Sequence, residues 1–303
     1  MTKVIHQKAG GVSSESASAN IFMRLLANYR SDGSSTESGR LTIWRSPGTF
    51  TKLFINIVTN DRGTSTLRTR KTSADANLVV SITASTTGMF QDTTNSDVVG
   101  AGDEWHLNLV VGSGGTTFTY NNFGVLFEAD SNTVMRTGGG NAESVSAGTG
   151  TNRAPFYSKG ARLIAELVDT NVAIRAKTAG TLKNYWVNVT ANTMSATSTF
   201  RTRVNGANGA QSISVTAGST GQFEDTSNSD AIVVNDDWNW RVTNSSGSGT
   251  LTISGTAIDF ETTNGQYQFV NGSGNTGGTT QAENLTRYYN PTGLLSANAT
   301  ESN

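Results

Sequence analysis

The sequence predicts an all-β chain of two tandem, homologous antiparallel β-sandwiches of the jelly-roll type, with extended arms at both ends. Three observations predict it. The stretch TGMFQDTTNSD at 87–97 returns as TGQFEDTSNSD at 220–230, differing only at Met89, Gln91 and Thr94. Charged residues are 15% of the chain, while Thr, Ser, Asn and Gly dominate and runs of helix-favouring residues are scarce. Apolar residues alternate with polar ones, the period of a strand with one buried face.

The echo belongs to a longer repeat. GTFTKLFINIVTN at 48–60 aligns with GTLKNYWVNVTAN at 180–192, and STLRTR at 65–70 with STFRTR at 198–203. DEW at 103–105 meets DDW at 236–238, and VLFEA at 125–129 meets IDFET at 258–262. The spacing grows by one residue between the first and second of these blocks, an insertion in a single turn. So long a period, present twice, is a duplicated domain, since solenoid units run about 20 to 50 residues. The boundaries follow from composition: an arm at 1–39, a first module at 40–130, a Gly/Ser/Thr-rich linker at 131–155, a second module at 156–263 and a tail at 264–303.

Within the first module, Leu53, Ile55 and Ile57 share one strand face, as do Leu78, Val80 and Ile82, then Trp105, Leu107 and Leu109. The second repeats the parity with Tyr185, Val187 and Val189, then Ile213 and Val215, then Trp238, Trp240 and Val242. Turn signals between such runs place strands near 40–45, 50–59, 65–71, 77–84, 87–91, 97–99, 104–111 and 116–128. Short strands at this spacing read as a two-sheet sandwich, in its eight-stranded jelly-roll variant. One segment, 19–29, reads as a helix with Ile21, Leu25 and Leu26 in a stripe, or as another strand.

Composition excludes several functions. Lys plus Arg is 22 and Asp plus Glu is 23, a net charge of −1, so no global field attracts nucleic acid or an anionic membrane. With Cys at 0 there is no disulfide, thiolate metal site or cysteine nucleophile. MTKVIHQKAGG lacks the apolar run of a secretory signal, and IFMRLLANY at 21–29 is too short and interrupted to cross a bilayer. The expectation is a soluble chain not exported by the usual routes.

Enzyme chemistry finds little to work with. The two histidines are His6 and His106, and His106 is Asn239 in the other copy. Asp103–Glu104 and Asp236–Asp237 are strand neighbours, which point to opposite faces and cannot act as one acid–base pair. They suit the turn before the Trp strand. GSGNTG at 272–277 matches a dinucleotide fingerprint only as a string, without a βαβ unit around it. No catalytic residue, cofactor or metal is expected, although carboxylates distant in sequence leave a hydrolase as an open alternative.

The repeated DTTNSD has two readings. As a turn, Asp92, Asn95 and Asp97 bond nearby backbone. As a calcium loop it offers clustered oxygens but lacks the Asp-x-Asp-x-Asp-Gly pattern and its bidentate Glu. Arg68 and Arg70, repeated as Arg201 and Arg203, sit two apart and project from one sheet face. They are a solvated face or a forked contact with carboxylates of a neighbouring protein. In the tail, Arg287, Tyr288 and Tyr289 echo Pro155, Phe156 and Tyr157 and read as an orphan opening strand able to pair with a neighbour's sheet.

TFRTRVNG at 199–206, TAGSTGQFEDTSNSD at 216–230 and the Asp-Asp turn that follows resemble a β-sandwich module of tailed-bacteriophage virion proteins. The second copy matches more closely, because Thr72 and Ser73 replace the Asn205–Gly206 turn in the first. The resemblance spans most of each half. It implies a virion structural protein, either a capsid decoration (cement) protein on the outer shell, bound to the major capsid protein, or a part of a fibre or tail. A receptor- or glycan-binding fibre module and a double jelly-roll shell protein are the alternatives. Sheet edges poor in blunting lysines add an expectation of homo-oligomers, a trimer by the resemblance, whose arms cross to neighbours.

Overall fold

The computed structural model describes residues 2–15, 20–23, 25, 35–37, 42–131, 133–138, 143–146, 151–154, 173–176, 178–244, 247–262, 269–270 and 286–287. Every regular element among them is a strand. The first half holds β1 (Thr2–Glu15), β2 (Asn20–Met23), β3 (Thr42–Ile43), β4 (Gly48–Asn60), β5 (Ser65–Lys71), β6 (Ala74–Ile82), β7 (Gly88–Asp92), β8 (Asp97–Val99), β9 (Glu104–Val110) and β10 (Phe118–Ala129). The second holds β11 (Thr133–Gly138), β12 (Glu143–Ser146), β13 (Thr151–Ala154), β14 (Ile174–Arg175), β15 (Gly180–Asn192), β16 (Ser198–Val204), β17 (Ala207–Val215), β18 (Gly221–Ile232), β19 (Asp237–Asn244) and β20 (Thr250–Thr262). In the tail, β21 (Phe269–Val270) pairs with β22 (Thr286–Arg287).

The strand order is that of a jelly roll. One sheet runs β1-β10-β4-β7 with β8 also on β4, and its partner runs β2-β9-β5-β6 with β3 also on β9. The second half repeats it as β11-β20-β15-β18, with β12 on β20, and β13-β19-β16-β17, with β14 on β19. All the pairings are antiparallel, and sequence-distant strands lie side by side, as Greek-key connections require.

The strands expected between 40 and 128 are present within a few residues of their predicted ends. The arm and linker, however, supply strands as well. Residues 2–15 pair along β10 from Thr2↔Ala129 to Glu15↔Phe118, and 20–23 pair with β9, so the segment with the helix-or-strand ambiguity is a strand there. Residues 133–138 and 143–146 pair with β20, and 151–154 with β19. The described part of the arm is therefore hydrogen-bonded to its own chain, where the sequence suggested neighbouring subunits. Composition hid these strands because an edge strand draws its order from backbone bonds and needs no apolar alternation.

Each pair of sheets encloses one apolar core. In the first, Leu53, Ile55, Leu67, Leu78, Ile82 and Leu109 are fully buried around an aromatic cluster in which Phe50 meets Trp44 and Trp105 edge-on, with centroids 5.0 and 5.1 Å apart. In the second, Tyr185, Val187, Phe200, Val215 and Val242 fill the same role, and Trp238 stacks on Phe260 at 6.2 Å. Trp105 and Trp238 are 1% and 3% exposed, as the strand parity predicts. Gly48 and Gly180 open β4 and β15 where a side chain would run into the carbonyls of Glu128 and Glu261.

The expectation of one wet face per strand fails on β9. His106 and Asn108 are buried as fully as the inward Trp105 and Leu107. Their outer face is covered, with the Phe22 ring meeting His106 edge-on at 5.6 Å.

Candidate functional site

The repeated acidic turn closes one edge of each sandwich. β6 is the last strand of its sheet and β7 the last of the facing one, so an edge of unpaired N–H groups would result. Asp92 and Asp97 occupy that gap. Asp92 Oδ2 accepts from the Val79 backbone N–H at 2.9 Å, and its Oδ1 accepts from the N–H groups of Thr94 and Asn95 at 3.0 and 3.1 Å. Asp97 Oδ1 accepts from Asn77 N–H at 2.6 Å, while Oδ2 accepts from the Thr69 hydroxyl at 2.5 Å and Leu78 N–H at 3.3 Å.

The second copy matches closely, with one donor changed from a backbone N–H to a side-chain amide. Asp225 accepts from the N–H groups of Ser212, Ser227 and Asn228 at 2.8 to 3.1 Å. Asp230 accepts from Ala210 N–H, from the Thr202 hydroxyl at 2.6 Å and from the Gln211 side-chain amide at 3.2 Å. Burial works to raise the pKa of Asp92, but the Asn95 side chain and three backbone N–H groups outweigh it and hold the carboxyl far below the usual range. Asp225 is likewise lowered, burial being outweighed by Ser212 and Asn228. These oxygens are committed partly to their own backbone and partly to the sheet opposite, the nearby backbone bonding that the turn reading of DTTNSD expects.

The arginines brace hairpins. The β5–β6 turn has Thr72 and Ser73 at φ 44° and 67°, and the β16–β17 turn has Asn205 and Gly206 at 50° and 77°, a type I′ geometry. Arg70 reaches over its turn to the Ser73 carbonyl and to Asp75, and Arg203 to the Gly206 carbonyl and to Asn208 Oδ1 at 2.7 Å. Arg68 also pairs with Asp75. Arg201 is half-buried on β16. Arg68 and Arg70 thus meet carboxylates of their own chain, Asp75 and Glu37. Arg287 lies in β22, whereas Tyr288 and Tyr289 lie outside the described residues.

On the first sandwich, Glu37 links Arg70 and His106. Its Oε1 is 2.7 Å from Arg70 Nε and 2.7 Å from His106 Nε2, and Arg70 lies over the Phe22 ring at 5.8 Å. Burial lowers the pKa of His106, Glu37 opposes the shift and Arg70 adds to it. His106 is therefore a wall residue whose charged form burial disfavours, its Nε2 set beside the Glu37 carboxylate. The other carboxylate pairs also serve turns: Asp103 accepts from Gly100 N–H at 2.7 Å and pairs with Lys71, and Asp236 accepts from Val233 N–H at 2.8 Å. Asp237 holds Arg175 through two bonds of 2.9 and 2.8 Å.

Sequence reasoning missed the contact between the sandwiches. The loop after β3 reaches the outer face of the β15 sheet, where Arg45 lies over the Trp186 ring at 5.7 Å and pairs with Glu224. Ser46 donates to Asp259 Oδ1 at 3.3 Å. Trp186 and Ala257 are 4% and 1% exposed and pack with the first core, and burial raises the pKa of Asp259. A signal was present. Tyr185, Val187 and Val189 point inward, so Trp186 is a large apolar side chain at an outward position, which marks a covered face.

No protein-family model and no curated protein sequence matches the chain. Solved structures similar to it include that of the infectious bursal disease virus Gx strain, 10% identical, covering 87% of this chain and 73% of that one with a TM-score of 0.26. The crystal structure of the infectious bursal disease virus VP2 subviral particle is 9% identical, with coverages of 86% and 72% and a TM-score of 0.26.

Proposed function

We propose that the chain is a non-enzymatic structural protein of a virus particle. In its specific form the proposal is a decoration (cement) protein of a tailed-bacteriophage capsid, binding the major capsid protein at the outer surface as a homotrimer. The observation that carries the reading is the employment of the repeated polar residues. Asp92, Asp97 and their copies close sheet edges, Arg70 and Arg203 brace hairpins, and Asp103 and Asp236 hold turns. Side chains spent in this way support two rigid jelly rolls that act through their surfaces, and function on such a fold lies in what those surfaces meet. The sequence resemblance to phage virion modules supplies the particle. With β1 in its own sheet, attachment falls to the free edge of β1 and to the outer sheet faces rather than to a detached arm.

The test is binding of the purified full chain to capsids lacking it, beside a glycan array. Saturable binding to capsids with a blank array supports the proposal. Array binding without capsid binding moves the chain to the fibre class.

A further inference from the structure

The face that joins the two sandwiches holds a carboxyl group that fits its partners in either charge state. Asp259 lies on the outer side of β20 with Ala257 and Glu261, and Ala257 packs with the core of the first sandwich. Asp259 is 6% exposed where the loop after β3 meets it. Its Oδ1 is 3.3 Å from the Ser46 hydroxyl of that loop, and its Oδ2 accepts from Asn184 Nδ2 at 2.8 Å. Asn184 stands at φ 54° in a bulge of β15, an irregularity that aims its amide across the sheet. The first copy has Leu126 at the position of Asp259, so the jelly roll itself does not require a carboxyl there.

Ionised, the carboxylate accepts both bonds. Protonated at Oδ1, it donates to the Ser46 oxygen and still accepts from Asn184, so the two states differ in charge and not in partners. The charged groups around it are Arg45 on the loop, Glu224 on β18, Lys183 on β15 and Glu261 on β20, while β11 places Met135 opposite. Arg45 is paired with Glu224 and Lys183 with Glu261, which leaves little positive field for Asp259. Burial therefore raises its pKa against the opposing pull of Asn184, Ser46, Arg45 and Lys183. Undocking returns this outward side chain to water and to the ordinary value of about 3.9. Docking is then strongest with Asp259 protonated and weakens as pH rises through the docked value. β10 ends at Ala129 and β11 begins at Thr133, so a loosened contact leaves the sandwiches joined by one short connection.

We infer that Asp259 is a pH-sensitive latch between the two sandwiches: protonated, it holds the Ser46 loop on the β15 sheet, and ionised, it releases that contact so that the sandwiches reorient while each stays folded. The inference goes beyond the virion reading and does not rest on it, since it concerns the isolated chain.

The experiment is pulsed dipolar electron spin resonance on the full chain. The sequence has no cysteine, so Met89→Cys and Val234→Cys, both at exposed positions, put one spin label on each sandwich. As pH is raised from about 4.5 to about 8.5, the otherwise unaltered chain passes reversibly from a narrow to a broad distance distribution. Asp259→Asn, a neutral isostere that keeps both bonds, holds the narrow distribution throughout. Asp259→Leu, which installs the residue of the first copy, shows no pH dependence, and it serves where the carboxamide disturbs folding. His106 is present in all of these chains, so a broadening that persists in the Asp259 variants belongs to another group and overturns the inference. A distribution that is the same at both ends of the pH range in the unaltered chain overturns it as well.

Discussion

The Thr69 hydroxyl donates to Asp97 at 2.5 Å, and Thr202 makes the same bond to Asp230 at 2.6 Å. Each bond runs between facing sheets, from a buried strand to the first residue of β8 in one copy and to β18 in the other. A duplicated bond of this kind gives the repeated DTTNSD its physical meaning. The carboxylate replaces the strand that would otherwise have to pair with β6.

Replacing Asp97 by Ala leaves the Asn77 and Leu78 N–H groups and the Thr69 hydroxyl without their acceptor. At about 1 to 3 kcal/mol for each buried unsatisfied group, partly relieved by water, the loss is about 3 kcal/mol. Urea unfolding of Asp97→Ala and Asp230→Ala measures it. A change below about 0.5 kcal/mol in both would show that the edge is held some other way.

Acid should weaken both sandwiches in a defined window. Asp92 and Asp225 have folded pKa values below that of the unfolded chain, about 3.9, so their contribution is complete above that value. It is lost as pH falls through the unfolded pKa towards the folded one, because the unfolded chain takes up protons first. Denaturant midpoints should fall steeply below pH 4, with a shallower fall in Asp92→Asn, beyond the milder loss between pH 7 and 5 that the lowered pKa of buried His106 contributes. Midpoints that hold at pH 3 contradict the assignment.

The first hairpin turn carries strain that the second avoids. Thr72 and Ser73 adopt positive φ at both central positions, where Asn205 and Gly206 are favoured residues. Thr72→Asn/Ser73→Gly should raise stability by about 1 kcal/mol. Thermal or urea denaturation reads this directly, and an unchanged or lowered midpoint argues against the turn geometry.

Arg62 is a buried cation at a site where the other copy has an apolar residue. It is 4% exposed, its Nη1 donates to the Gly114 carbonyl at 2.9 Å, and its Nε and Nη2 meet no protein acceptor. Met194 fills the matching position, with the same backbone bond to Asn192 that Arg62 makes to Asn60. Because a buried charge with few partners is costly, Arg62→Met should leave stability equal or raise it by about 1 kcal/mol. A loss of more than about 1 kcal/mol would mean that the Gly114 bond dominates.

The legible parts of this fold are those written in apolar alternation. Leu53, Ile55 and Ile57, or Trp238, Trp240 and Val242, declare both strand and inward face, and all of them are buried. β1 and β11 were illegible because edge strands rich in Gly, Ser and Thr are ordered by the neighbour that accepts their backbone bonds. Arg68 and Arg70 were legible as one outer face, yet Asp75 and Glu37, which take up Arg70, are set by a turn and by a segment with no periodic signal. The Arg45–Trp186 contact lies between two sandwiches, and no local pattern encodes it beyond the misplaced parity of Trp186.

Electron cryomicroscopy of the intact particle carrying this chain tests the central claim most directly. The account predicts two adjoining jelly rolls on the outer surface of the shell, their sheet faces and β1 edges against major capsid protein or a second copy. Density confined to a tail tip or fibre, or particles that lack the chain altogether, would contradict it.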